Sequence, residues 1–261
     1  MRNIWTIAWK EFKLYFSTPI FYIISAMVFL FLGVIFYSNI AQIISSASSS
    51  SSSGGATDLP GAVMLGPLLT ILLFATPAIT MRLVAEENSL GTIELMLTAP
   101  VRDSELIIGK WLGASLFTSV LVGLTWIYPI FLHAITKPNG IDQGPLVSSY
   151  LVLLLLVWAL VAVGVCVSAP FKNVTAAFFA SLMVSLGLWV SGLGASALSY
   201  SGGTGGTSLL GTILQYLDFT SHFYNTAYNG RLDLTDIVFY VSIIVLMLFF
   251  ATRIIESRRW R

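Results

Sequence analysis

Six long stretches of apolar residues, nearly free of charge, constrain this chain more than any other feature. They are predicted to be transmembrane segments at residues 20–44, 62–84, 106–133, 146–169, 174–198 and 236–255. A hydrocarbon core roughly 30 Å thick needs about 20 apolar residues per helical crossing, so these stretches are of spanning length. In lipid, a helix satisfies its backbone hydrogen bonds within one segment. The sequence therefore predicts an all-α integral membrane protein with six transmembrane helices.

Composition points the same way. Only 10% of the residues are charged and the mean hydropathy is +0.87, whereas soluble domains carry about 25% charged residues. Six spans and their connections use nearly all 261 residues, which predicts a single transmembrane domain over 1–261. The net charge of +1 gives no indication of a nucleic-acid partner, and none is expected.

The distribution of positive charge predicts the topology. An even number of spans places both termini on one side of the membrane, called here the terminal side. Eleven lysines and arginines fall on the terminal side: Arg2, Lys10, Lys13, Arg82, Arg102, Lys110, Lys172, Arg253, Arg258, Arg259 and Arg261. Only Lys137 and Arg231 fall on the outer side. By the positive-inside rule, both termini are expected in the cytoplasm, with the chain in the cytoplasmic membrane.

Three segments outside the spans have compositions of their own. Residues 1–19 interleave aromatic and basic side chains, which is typical of an amphipathic helix lying on the membrane surface. The run Ser48–Ser53 with Gly54 and Gly55 indicates a flexible outer loop. Within 205–235, apolar residues at helical spacing are too few to span a bilayer. They predict a short re-entrant or interfacial helix, the alternative being a loop packed on the bundle.

The connection between the second and third spans holds a concentration of charge. Leu90, Ile93 and Leu97 are predicted to share one helical face, and Pro100 to end that helix. Such a helix, held parallel to the membrane, would give another protein a surface on which to exert force, and we call it the handle. The alternative is a solvated turn. The residues predicted to form the handle are Glu86, Glu87, Leu90, Gly91, Thr92, Glu94, Leu97 and Pro100.

This connection resembles a known family. The pattern Glu87-x-x-x-Gly91-Thr92-x-Glu94-Leu95-x-Leu97-x-x-Pro100, followed by Gly109-Lys110, is similar to the loop after the second span of ABC-2 type ABC transporter permeases. The aromatic N-terminal stretch, the six spans and the closing Glu256-Ser257-Arg258-Arg259-Trp260 resemble the same family over essentially the whole chain. The branch suggested is that of gliding-motility and nitrous-oxide-reductase maturation permeases.

The resemblance implies further structure and partners. It implies an elbow helix at 1–19, a coupling helix at 86–100 and outer re-entrant helices within 205–235. It also implies two ABC ATPase subunits, which would bind ATP and Mg²⁺, and a second permease subunit, identical or paralogous. The branch further suggests an outer-side partner protein, and the family favours export.

Catalytic motifs are missing from the sequence. There is no Gly-x-x-x-x-Gly-Lys-[Ser/Thr], His-Glu-x-x-His, Cys-x-x-Cys or Gly-x-Ser-x-Gly, and the histidines are His133 and His222. We therefore expect no catalytic, cofactor or metal residues and no enzymatic activity of the chain by itself. Ionisable residues occur only near the ends of the spans, which disfavours an ion-coupled secondary transporter.

Several residues within the spans suggest a pathway or hinges. Pro77 and Pro129 can kink their helices. The polar side chains of Thr70, Thr76, Ser119 and Thr125 are candidates to line a transport pathway. Gly109 and Gly113 form a Gly-x-x-x-Gly pair, for which helix packing is favoured over a dimer contact.

Two functions remain open on the sequence alone. The first is a permease that exports a substrate when ATPase subunits press on 86–100. The second is a non-transporting mechanical anchor that passes ATPase strokes to an outer partner, which predicts a dry, tightly packed interior. An independent channel is disfavoured because no charged ring lies within the spans. The sequence does not indicate a substrate.

Overall fold

The long elements that the structure describes are all helices. The computed structural model describes residues 2–47, 65–91, 102–135, 143–201, 218–220, 222–224 and 232–258. The helices are α1 (Arg2–Ser17), α2 (Pro19–Ala47), α3 (Gly66–Met81), α4 (Glu87–Leu90), α5 (Asp103–Leu124), α6 (Ile127–Ile135), α7 (Gln143–Ser168), α8 (Val174–Ser201) and α9 (Leu234–Arg258). A π-helical turn, Arg82–Glu86, joins α3 to α4.

Six helical segments in these ranges are long and apolar enough to cross a membrane. They are Phe21–Ser38, Gly66–Leu90, Asp103–His133, Gly144–Ser168, Val174–Ser191 and Leu234–Ser257. The predicted number of spans and the all-α class are therefore confirmed for the part of the chain that is described.

Helix α7 forms the centre of the bundle. It packs against α3, α5, α8 and α9, and Leu153, Val157 and Ala162 on it are fully buried. A helix that is apolar on all sides is suited to this position, because every face then meets another apolar surface. Helix α2, by contrast, exposes large apolar side chains such as Ile23 and Leu30. Such a surface suits lipid or another subunit rather than water.

Helix α1 docks on the bundle through one face. Its packing partner is chiefly α5, and Ala8 and Glu11 on this face are buried, whereas Trp5 and Trp9 are exposed. The helix ends at Ser17, after which Pro19 starts α2. Proline suits a first helical position because the amide hydrogen missing there would have no partner within the helix. The placement of α1 on a membrane surface stays a prediction.

The third span is not the continuous helix predicted at 106–133. Helix α5 ends at Leu124 and α6 begins at Ile127, so the break begins at Thr125, one turn before Pro129. Proline lacks the amide hydrogen that would bond the carbonyl four residues earlier, at Thr125, and its ring crowds that carbonyl. The amide of Tyr128 donates to the Thr125 carbonyl instead, with an N···O distance of 3.2 Å.

The handle predicted as one helix over 86–100 is also interrupted. Helix α4 ends at Leu90, and Gly91 adopts a left-handed conformation with φ of 69°, a backbone state that favours glycine. Whether Leu90 shares a helical face with Ile93 and Leu97 stays a prediction. Residues 92–100, with Thr92, Glu94, Leu97 and Pro100, lie outside the described residues.

Most of the segment predicted as re-entrant at 205–235 lies outside the described residues as well. Its described parts pack on the start of α9: the Tyr240 hydroxyl donates to the Phe219 carbonyl at 2.9 Å, and Phe219 and Phe223 are buried. The nitrogen Nδ1 of His222 lies 2.7 Å from Oδ1 of Asp236. The Ser-rich run at 48–53 is likewise outside the described residues.

Candidate functional site

A widened turn at the terminal side of α3 creates the candidate site. The π-helical residues Arg82–Glu86 follow α3 without a break and lead into α4. A π-turn carries an extra residue compared with an α-turn and often marks a functional site. Two carbonyls beside it receive side-chain hydrogen bonds: Ile79 from Tyr15 of α1 at 3.1 Å, and Leu83 from Lys110 of α5 at 2.8 Å.

Lys110 is the centre of the site. Its side chain is 1% exposed, and its Nζ lies 2.6 Å from Oε1 of Glu87, 2.8 Å from the Leu83 carbonyl and 3.3 Å from Oε1 of Glu11. An ammonium group has three hydrogens to donate, and these three acceptors account for them. Lys110, Glu11 and Glu87 are called here the Lys110 cluster; together they join α1, α4 and α5.

Two glycines allow α1 to approach α5 closely enough for Glu11 to reach Lys110. A Cβ built on Gly113 would lie 2.7 Å from the Cβ of Glu11 and 2.9 Å from the carbonyl oxygen of Ala8. A Cβ on Gly109 would lie 2.8 Å from Cγ2 of Ile7. The predicted packing role of this Gly-x-x-x-Gly pair is confirmed, with α1 as the partner helix.

The electrostatics of the cluster favour an intact arrangement. Glu11 is 6% and Glu87 17% exposed, so two carboxylates and one ammonium sit largely away from water. Removing one member of a buried ion group leaves the others uncompensated, which is strongly unfavourable. The cluster therefore ties α4 to α1 and α5.

Tyr15 reinforces the contact between α1 and α3. Besides its hydrogen bond to the Ile79 carbonyl, its ring stacks on Phe117 of α5 with the centroids 4.9 Å apart. Burial, and then the negative charge of Glu11, raise the pKa of the Tyr15 hydroxyl well above its ordinary value, while Arg82 acts in the opposite direction. Tyr15 therefore remains a neutral hydrogen-bond donor at physiological pH.

Asn88 links α4 to the connection between α7 and α8. Its side-chain amide donates to the carbonyls of Ala169, at 3.1 Å, and Phe171, at 3.0 Å. These carbonyls follow the C-terminal end of α7, where backbone acceptors lack helical partners. Helix α4 is thus fixed to the central helix as well as to α1 and α5.

Over residues 5–255 the sequence matches the family described as ABC-2 family transporter protein. The chain belongs to the ABC-2 transporter family. With its six apolar helices, this ABC-2 chain is a multi-pass transmembrane permease of an ABC transporter, and its family implies partnership with an ABC ATPase subunit. No curated protein matches the sequence significantly. The gliding-motility or nitrous-oxide-reductase maturation branch stays a prediction.

The ABC-2 permease places its predicted handle residues in two environments. Glu87 points inward to Lys110, whereas Leu90 is 69% exposed. The Glu86 carboxylate is partly exposed and lies 3.9 Å from Nε of Arg82. Gly91, at the end of α4, is exposed. The structure thus separates the handle into an inward contact at Glu87 and an exposed surface at Leu90 and Gly91; contact with an ATPase stays a prediction for all of them.

The predicted pathway and hinge residues have different surroundings in the described part of the permease. Thr76, Pro77 and Thr125 are buried, and Thr125 lies 3.3 Å from the Tyr150 hydroxyl. Ser119 accepts a hydrogen bond from Nε1 of Trp158 at 2.9 Å. Thr70 lies apart from these, on the wall of a cavity between α2 and α3.

Helix α3 continues through Pro77 despite the missing amide hydrogen. The Thr80 hydroxyl donates to the Thr76 carbonyl at 3.0 Å, and the Thr76 hydroxyl lies 3.4 Å from the Leu73 carbonyl, the acceptor that Pro77 cannot reach. Neighbouring hydroxyls often compensate proline in this way. A pathway or hinge role for Thr70, Thr76, Pro77, Ser119, Thr125 and Pro129 stays a prediction.

The sequence did not predict that Glu11 pairs with Lys110 or that Asn88 donates to carbonyls after α7. The docked face of α1 carries Ile4, Ile7, Ala8, Glu11 and Tyr15. The last four follow Ile4 by three, four, seven and eleven residues. A carboxylate on an otherwise apolar face is a signal that a positive partner is buried opposite. Asn88 gave no such signal, because an exposed asparagine is ordinary in a helix-turn connection.

Metal ligation is not supported by the described residues of the permease. Within them no three His, Cys, Asp or Glu side chains come together as a metal site would need. The His222–Asp236 contact has two such groups.

Proposed function

We propose that this ABC-2 permease exports a substrate across the cytoplasmic membrane, with both termini in the cytoplasm and ATP hydrolysis on a separate subunit. Two ATPase subunits, which bind ATP and Mg²⁺, contact the exposed surface around Leu90 and the residues that follow Gly91. Two permease subunits, identical or paralogous, form the membrane part. The chain itself catalyses no reaction.

The observation that carries the proposal is the threefold attachment of α4. A single buried ammonium joins it to α1 and α5, and Asn88 joins it to the end of α7. A partner that presses on Leu90 therefore moves helices across the bundle rather than one loop. Such a partner shifts the conformation only if it binds the two states with different affinity.

A mechanical anchor is the second candidate, and the burial of two predicted pathway residues supports it. Thr76 and Thr125 are buried and hydrogen-bonded to their own helices, as a dry, tightly packed bundle requires. In this case the ATPase stroke passes through the same Lys110 cluster to an outer-side partner protein, with no cargo.

Gentle purification of the tagged chain from its native membrane, followed by mass spectrometry, tests both candidates. A co-purifying protein with a Walker A motif supports the permease proposal. An additional outer-side protein, together with an absence of ATP-driven transport in proteoliposomes, supports the anchor. A chain that purifies as a stable oligomer with no ATPase overturns both.

A further inference from the structure

Two adjacent cavities lie between α2 and α3, and α1 also borders the first of them. The first has a volume of about 350 Å³ and lies beside the Lys110 cluster. The second has a volume of about 480 Å³ and lies further along the same two helices. Both are lined by Ile24 and Ala78, so these two residues lie at their boundary. We call the combined space the α2–α3 groove.

One end of the α2–α3 groove carries opposite charges side by side. Arg82 and Glu86 line the first cavity, and their side chains remain 33% and 43% exposed. The guanidinium Nε and the carboxylate Oε2 are 3.9 Å apart, too far for a hydrogen bond. Nε of Arg82 is itself buried and has no hydrogen-bond partner among the described residues. The exposed parts of the Arg82 and Glu86 side chains can bind a ligand at this end.

The other end of the groove is apolar. Its walls are formed by aliphatic and aromatic side chains, among them Met27, Phe31, Ile71 and Phe74. The polar side chain there, Thr70, uses its hydroxyl to bond the Gly66 carbonyl of its own helix at 3.1 Å. A ligand at this end would be bound mainly through the burial of its hydrocarbon surface.

The length of the groove corresponds to one leaflet. Arg82 and Thr70 are 82 − 70 = 12 residues apart on nearly continuous helix, which at 1.5 Å per residue is roughly 18 Å. Half of a hydrocarbon core of roughly 30 Å is about 15 Å. A groove with a charged head end and an apolar body of this length has the dimensions of one phospholipid in the leaflet on the terminal side.

We propose that the α2–α3 groove holds one phospholipid with an ethanolamine head group. Arg82 binds the phosphate, since a guanidinium forms charge-assisted hydrogen bonds with phosphate oxygens. Glu86 accepts hydrogen bonds from the ammonium of the ethanolamine. One acyl chain lies along Met27, Phe31 and Phe74. Leu90 also lines the first cavity, so the head end adjoins the surface proposed for the ATPase, but lipid binding by the chain requires no ATPase.

The charge at the head end selects among lipid classes. Glu11, Glu86 and Glu87 all line the first cavity, but Glu11 and Glu87 are paired with Lys110. A lipid with a net negative head group would offer no positive partner to the Glu86 carboxylate. A zwitterionic head group presents its own positive charge to Glu86. A choline head group has a positive charge but no hydrogen to donate, so ethanolamine is preferred over choline.

Native mass spectrometry of the full chain tests the proposal. The purified, delipidated protein is titrated with ethanolamine, choline and glycerol phospholipids of identical acyl chains, and the bound lipid is counted. We expect one retained lipid and a preference for ethanolamine of about two- to fivefold, the contribution of a partly exposed ion pair. Equal retention of the three classes, a preference for the anionic lipid, or no retained lipid overturns the assignment.

Two pairs of variants locate the lipid. Arg82→Gln and Glu86→Gln are each expected to remove the preference for ethanolamine, whereas Arg253→Gln with Glu256→Gln, an exposed pair on α9, leaves it unchanged. Ala78→Phe places a large side chain at the boundary of the two cavities and should abolish retention of all classes, whereas the exposed position Ala26→Phe should not. Loss of preference in the α9 control as well would show that the bound lipid is not in the groove. The glutamine variants decide the head-group assignment even if Ala78→Phe does not fold.

Discussion

Replacement of Lys110 by methionine is the most informative perturbation of this permease. Methionine keeps much of the volume of the side chain but removes the ammonium. The carboxylates of Glu11 and Glu87, 6% and 17% exposed, then face each other without a positive partner. The Leu83 carbonyl also loses its hydrogen bond from Nζ of Lys110, which is 2.8 Å long in the unsubstituted protein.

The magnitude follows from the burial of the group. Breaking a buried ion pair by removing one partner typically costs about 3–5 kcal/mol, because the remaining charge is left uncompensated. Lys110→Met should therefore lower the free energy of unfolding by about 3–5 kcal/mol. If Glu11→Gln and Glu87→Gln are added, the uncompensated charges disappear, and most of this loss should be recovered.

The assay is denaturant unfolding in detergent micelles, followed by tryptophan fluorescence. Lys13→Met is the matched control, since Lys13 is an exposed lysine on α1 whose ammonium lies 5.5 Å from the centre of the Trp9 ring. The control should change stability by less than about 1 kcal/mol. A Lys110→Met variant as stable as the control, or a triple variant no more stable than Lys110→Met, would refute the role given to the cluster.

Three further predictions concern the attachment of α1 and α4. Gly113→Ala should destabilise the protein by about 1–3 kcal/mol, because the added Cβ would overlap α1. The control Gly187→Ala, at a position in open space, should stabilise the protein by up to about 1 kcal/mol. Equal effects of the two substitutions in unfolding titrations would contradict the close approach of α1 to α5. Tyr15→Phe should cost about 1 kcal/mol. Because the raised pKa of Tyr15 keeps its hydroxyl protonated, this difference should be constant up to about pH 9 and should diminish only at higher pH; a difference that falls near pH 7 would be inconsistent. Asn88→Ala should increase amide hydrogen exchange in α4 while exchange in α9 stays unchanged. If α4 exchanges at the same rate in Asn88→Ala and in the unmodified protein, the proposed link from α4 to α7 is wrong.

Hydropathy alone predicted the number of spans, because lipid imposes a strong and simple constraint on length and composition. The break between α5 and α6 required a further step. Pro129 was recognised as a kink, but its effect falls on the carbonyl four residues earlier, so the helix is interrupted at Thr125 rather than at the proline.

The charged cluster was harder to predict because it is a tertiary feature. Lys110 lies 99 positions from Glu11 and 23 from Glu87, and a count of lysines and arginines on the terminal side gives no information on which carboxylates lie beside it. The glycines on α5 indicated close packing but not which helix would approach. Similarly, Gly91 was read as part of a helical pattern, whereas its left-handed backbone ends α4.

The most direct test of the central claim is a photocrosslink from α4 in the native membrane. A photoreactive residue is introduced at Leu90, which is 69% exposed, and for comparison at Leu234, which is 77% exposed at the start of α9 on the outer side. The proposed mechanism predicts that Leu90, and not Leu234, crosslinks to a nucleotide-binding protein with a Walker A motif. A nucleotide-binding protein that co-purifies but crosslinks only from Leu234, or from neither site, would contradict it.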